Sequence, residues 1–280
     1  MSSSRSAYFN KLLENISKDA DNQGKPDYDY VVGTITAIKA QEELHALGVN
    51  AALQAAGRPT VAPCKYLIPD LSFVEAITLA NTFTDVVLGV LPQAQTVFAA
   101  DGAKELPYVN LFGSVIAQEA EQNGVFRSVQ RKIASSAPFK TTEGPTFAFS
   151  FLKSFIAPGC PVVDLVGKYV PSYAPLTVAP KGAAPGASDN NGLYFSVPGK
   201  VTAAEHQIYY ITGQNVPISD DLYEVVYSNR VTTFRAKFPF ASGGFTKGLT
   251  IAALVKKGTY TTIADVAANT LYGPGIIEVQ

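Results

Sequence analysis

The chain has 280 residues, 47 % of them apolar and 16 % charged, with a formal net charge of −1. That composition can bury a full core and argues against disorder, and the lack of a Lys/Arg block leaves no footprint for a nucleic-acid backbone. No apolar run approaches about 20 residues, so no membrane span is expected, and the opening MSSSRSAYFNKLL has no apolar secretory segment, which leaves a cytosolic chain or a mature form with an added start Met.

Helical periodicity recurs in four stretches. The first is expected from about Ser4 to Lys18, with Tyr8, Leu12 or Leu13, and Ile16 on one face; Asn22, Gly24 and Pro26 punctuate its end. It carries the sequon Asn15-Ile16-Ser17, which makes Asn15 a candidate N-glycosylation site. The second starts near Asp27 and stops at Gly57-Arg58-Pro59. The third follows Asp70, with Ser72 as N-cap and Glu75 closing a capping box; it ends about Ala100, and Pro92 is expected to kink it or break its last turns. The fourth runs from about Pro107 to Ser135, and a short fifth from about Pro145 to Phe155. Four long helices with short connections predict an antiparallel bundle.

Past Pro158 the pattern changes. A Pro/Gly/Ala-rich stretch reads as a linker or ordered loop, and then come GLYFSV, HQIYYIT, LYEVVYS, VTTFRAKFPF, LTIAALV and GIIEVQ. These are short β-branched and aromatic segments, with turns at Ser228-Asn229 and Gly243-Gly244 and a short helix near Ile263–Ala268. The expected class is α+β, with a helical bundle over 1–157, a linker or ordered loop over 158–190 and an antiparallel β-sandwich over 191–280.

The chemistry-bearing residues sit on the helices. Glu42 and His45 share a face of the second helix with Ile35, Ile38 and Val49. Glu119 and Gln122 share the stripe of Phe112, Val115 and Phe126 on the fourth, and Asn81 and Asp85 that of Ile77 and Leu88 on the third; Asn10 and Glu14 are the inward candidates of the first. A di-iron carboxylate bundle takes Glu-x-x-His from two helices and a lone Glu from each of the other two. Here one Glu-x-x-His is complete, the second reads Glu-x-x-Gln, and the third helix supplies Asp. The same residues equally make a hydrogen-bonded buried network without metal.

Cys64 and Cys160 are either two unrelated thiols or a disulfide closing a long loop, which would require an oxidising compartment. Serine-nucleophile chemistry has no Gly-x-Ser-x-Gly to carry it. His206 reads as a strand or turn residue, and Asp220-Asp221 as a solvated pair rather than a calcium site. Tyr194, Tyr209, Tyr210, Tyr223 and Tyr227 are divided between a carbohydrate or partner surface and ordinary cross-strand pairs.

The segments QEELHALGVNAAL, PCKYLIPDLSFVEAITLANTFTDVVLGVLPQAQTVF, GSVIAQEAEQNGVFRSVQRKI and LYGPGIIEVQ resemble the fungal ferritin-like proteins known as late sexual development proteins, more distantly related to stress-response and desiccation-related proteins. The resemblance covers nearly the whole chain. It implies a ferritin-like four-helix bundle followed by a β-rich region, an exported or cell-wall protein of development or stress, and a Cys64–Cys160 disulfide. Its di-iron ligands, which would hold iron or manganese, would fall on Glu42, His45 and Glu119, with Asp85 and Gln122 as imperfect matches and Glu14 as the first-helix candidate. It implies no reaction. The expectation is therefore a non-catalytic secreted protein with a degenerate di-metal site. The alternatives are a metal-dependent oxidase or metal-binding protein, and a cell-wall glycan or protein partner held by the sandwich, with oligomers allowed.

Overall fold

The computed structural model describes residues 2–18, 27–179, 192–239 and 247–279. The Gly243-Gly244 turn therefore lies outside the described residues. The fold combines helices with antiparallel sheets, as an α+β chain should. Its helices are α1 (Ser2–Lys18), α2 (Tyr28–Ala55), α3 (Phe73–Ala100), α4 (Leu106–Val129), α5 (Pro145–Lys153) and α6 (Pro161–Gly167), with a 3-10 turn at Ala103–Glu105. β1 (Thr177–Ala179), β2 (Gly192–Pro198), β3 (His206–Thr212), β4 (Ile218–Asp221), β5 (Tyr223–Ser228), β6 (Val231–Lys237) and β7 (Gly248–Lys256) follow, then α7 (Ile263–Asn269) and β8 (Thr270–Val279).

Local chemistry sets the helix ends. Ser72 accepts from the Glu75 amide while the Glu75 carboxylate accepts from Ser72, completing the expected capping box. α2 stops where Gly57 takes φ +67° and the Arg58 amide reaches back to the Leu53 carbonyl at 2.8 Å. α4 ends in the same motif about six residues before the expected Ser135. Arg131 takes the left-handed position at φ 60° and Lys132 donates to Arg127 at 2.9 Å. With arginine in place of glycine, that stop carries no sequence signal. Pro92 does not break α3, which runs unbroken to Ala100. The turns beyond it are held from outside: Phe98 stacks on Phe112, and Gln95 donates to the Val109 carbonyl at 2.8 Å.

α1 packs on α2 and α3 on α4, with further α1–α3 and α2–α4 contacts. Tyr8, Phe9, Leu12 and Ile16 of α1 bury against Ile35, Ile38, Ile77, Phe83 and Phe126. α3 is the central helix, because α5 and β7 also cover it, so every residue from Ala80 to Gly89 is buried. This explains its composition. It is the one described helix long and apolar enough to cross a membrane, and 67 % of that window is buried inside the protein, so no clear membrane span is present among the described residues.

The strands form two four-stranded sheets of order β1-β2-β6-β5 and β4-β3-β7-β8, with antiparallel pairing throughout. Phe195 and Phe234 of the first share one core cluster with Ile208, Tyr210, Leu254 and Ile277 of the second. The opposite face of the second sheet, including Tyr209, Ile211 and Ile251, joins Val86, Phe147 and Ala148 from the helices. A sheet covered on both sides needs continuous rather than alternating apolar strands, and β7 is buried at every position from Gly248 to Val255. α6 and β1 fall inside the stretch read as linker or ordered loop, and β4 was not anticipated from sequence.

Cys64 and Cys160 form a disulfide, with Cα atoms 5.5 Å apart across a separation of 96 residues. That bond is compatible with an extracellular location. It pins the α2–α3 loop beside α5 and α6, where Leu67 donates to Phe155 and Ala157 to Lys65. Replacing both cysteines with serine should cost up to about 4–5 kcal/mol in the chain-entropy model. Urea denaturation of wild type and variant under oxidising conditions, alongside reduced wild type, checks this; coincident transitions would contradict it.

Candidate metal centre

α2 and α4 bring three expected donors together. Glu42, His45 and Glu119 each place one ligand atom within 4.8 Å of the other two. His45 Nδ1 lies 3.5 Å from Glu42 Oε1 and 3.7 Å from Glu119 Oε1. Helical pitch produces the grouping, since positions three apart share a face. Glu42 and Glu119 are each 1 % exposed, while the His45 side chain retains 18 % exposure, so the carboxylates lie inside with the imidazole toward the rim. Gln122 adjoins them, its Nε2 donating to Glu42 Oε1 at 3.0 Å. Gln122 Oε1 is buried without a hydrogen-bond partner among the described residues, which leaves it available as a further oxygen donor. Two carboxylates, one imidazole and an amide oxygen form a donor set suited to manganese, iron or zinc. Gln118 closes the group, donating to Gln41 at 2.6 Å and accepting from Gln122 at 2.9 Å.

Asp85 and Glu14 do not join the cluster. Glu14 and Asn10 are exposed, because Tyr8, Phe9, Leu12 and Ile16 take the inner face of α1 and Glu14 projects from the opposite side; its carboxylate lies 4.0 Å from Lys11 Nζ. Val49, placed on the inner stripe of α2 from sequence, is 45 % exposed near the helix end. Asn15 is half-buried within α1.

Asp85 belongs to a second buried network that the sequence did not reveal. Its Oδ1 is 3.1 Å from Lys140 Nζ, and its Oδ2 accepts from Asn81 at 3.0 Å. Asn81 also donates to Glu278 of β8 at 2.8 Å and accepts from Asn123 of α4 at 3.1 Å. Arg127, fully buried, donates from Nε to the Ile133 carbonyl at 2.7 Å and holds Nη1 3.7 Å from Glu278 Oε2. Glu143, also fully buried, has no hydrogen-bond partner for either carboxylate oxygen among the described residues. Burial, then the nearby Asp85, pushes the Glu143 carboxyl well above its usual range. Burial and then Asp85 likewise raise Glu278, with Lys132 and Arg127 pulling the other way.

The remaining candidates resolve simply. His206 is half-buried at the start of β3 beside Thr202. Asp220 Oδ2 accepts from the Lys237 amide, and Asp221 pairs with Lys257 at 2.8 Å. Tyr209 and Tyr210 are core residues, whereas Tyr194 and Tyr227 are about half exposed. Arg235 lies 4.6 Å over the Tyr194 ring and 5.3 Å over that of Tyr223, so a ring face on each is already taken. No protein-family model and no curated protein matches the chain.

The raised carboxyls set a pH dependence. A group whose folded value exceeds its unfolded value stabilises below the unfolded value, and that contribution is lost as pH rises through the folded one. Glu143 therefore lowers stability progressively as pH rises above its ordinary range. Glu143→Gln should leave stability near pH 4 little changed and raise it near pH 8. Denaturant titrations at both values test this, and equal effects at the two would refute it.

Proposed function

We propose that the chain is a secreted protein of the ferritin-like type suggested by its resemblance to late sexual development proteins. In this reading residues 1–157 form a four-helix bundle, residues 191–280 form a β-sandwich, and half of a di-metal centre survives as a single-metal, non-catalytic site. The observation that carries the proposal is the division of the expected ligands. Glu42, His45 and Glu119 converge, while Asp85 is bound to Lys140 and Asn81 and Glu14 faces outward. A second ion would therefore lack the carboxylates that α1 and α3 supply in a complete centre.

In such a site Glu42 and Glu119 provide the charge that offsets a divalent cation, and His45 provides nitrogen. Gln122 fixes Glu42 through its amide and presents its free oxygen to the same space. A bound ion would hold α2 against α4 and neutralise two carboxylates that are otherwise expensive to bury. A paired centre of the kind the resemblance implies would need carboxylates from further helices, and we therefore assign this cluster to binding and stability. The disulfide favours this role outside the cell, where development or stress exposes proteins to dehydration.

Titration of apo-protein with Mn2+, Fe2+ or Zn2+, followed by calorimetry and elemental analysis, should give about one ion per chain. His45→Ala or Glu119→Gln should weaken binding by about tenfold or more, and dioxygen consumption with Fe2+ should not exceed that of buffer. Two ions per chain with rapid ferrous oxidation would overturn the non-catalytic reading. No bound ion at all would leave the glutamine-linked cluster as a purely structural network.

A further inference from the structure

The outer face of α2 has no partner among the described residues. Gly33, Ala37, Ala40, Leu44, Leu47 and Ala51 are all exposed, and their spacing alternates four and three, the repeat of a coiled-coil seam. Leu44 is 66 % and Leu47 64 % exposed, on the side of the helix away from Glu42. Among the described residues nothing requires Gly33 to be glycine: a Cβ there would meet nothing within 4 Å, and mid-helix glycine costs about 0.5–1 kcal/mol relative to alanine. A second backbone passing close to α2 would supply that reason.

The order of sizes along the seam identifies the occupant. Small residues fill its N-terminal half and leucines its C-terminal half. A second α2 laid antiparallel, with its two-fold axis near position 42, sets Leu44 on Ala40, Leu47 on Ala37 and Ala51 on Gly33, each pair occurring twice. Large side chains then enter the spaces left by small ones, as a self-complementary two-fold interface requires. No charged residue interrupts the seam. Lys39 and Glu43, 3.7 Å apart at its edge, carry opposite charges, and the same axis sets Lys39 of one copy within two residues' rise of Glu43 of the other. We propose that this face of α2 is a homodimer interface, pairing antiparallel with α2 of a second copy. From Gly33 to Ala51 the seam is about 27 Å long, short for an obligate interface, so the dimer is reversible.

Sedimentation equilibrium of the full oxidised chain over roughly 1–200 µM tests this. A monomer–dimer equilibrium with a micromolar dissociation constant is expected. Leu44→Glu with Leu47→Glu should weaken it by about a hundredfold or more while circular dichroism and melting stay at wild-type values. Val226→Glu, on the exposed face of β5, should leave it unchanged. Leu44→Lys and Ala40→Glu chains should each dimerise poorly alone and associate when mixed, because the antiparallel register sets position 44 on position 40. A wild type that stays monomeric throughout, or a dimer that survives both glutamates, overturns the interface; a mixture that stays monomeric overturns the register.

Discussion

The Asn81 side chain is the hinge of the architecture. Both of its amide hydrogens and its carbonyl oxygen are used, toward Asp85, Glu278 and Asn123. This one group ties α3 to α4 and to β8, where every position from Ala80 to Gly89 of α3 is buried. A polar group placed there without partners would cost several kcal/mol. Lys140 lies against Asp85 and Arg127 near Glu278, while Glu143 is buried beside them with no hydrogen-bond partner among the described residues. Helices and sheet thus meet through a charged joint as well as through the apolar contacts of Val86 and Phe147.

That joint also decides what the helices can bind. Asp85 sits at the height on α3 from which a metal ligand would be expected, but Lys140 and Asn81 hold it. The carboxylates of Glu42 on α2 and Glu119 on α4 are grouped with His45, and Gln122 donates to Glu42. Gln118 and Gln122 join the two helices through Gln41 and Glu42.

What the sequence disclosed follows the range of the interaction. Ser72 and Glu75 are three residues apart, and Gly57 acts on its own helix end, so both were legible. Helical pitch alone grouped Glu42 with His45 and Glu119 with Gln122, which is why that cluster was anticipated. Pitch gives a face but not its direction, and Glu14 was misplaced because two aromatic rings, Tyr8 and Phe9, claimed the inside of α1. Glu278, Lys140 and Arg127 were missed because their partners are supplied by distant elements and no local pattern marks them. The left-handed Arg131 hid the end of α4 for a related reason: a residue other than glycine took a position that glycine usually announces. Burial on both faces hid the role of β7, which nothing short of the packed helices could show.

The contact between Asn81 and Glu278 spans 197 residues, and that distance matters during synthesis. By the time α3 and α4 have left the ribosome, Asn81, Asp85 and Arg127 have no β8 to meet, and the apolar flank of α3 destined for β7 is bare. The polar joint between helices and sheet can therefore close only after the last strand has been made.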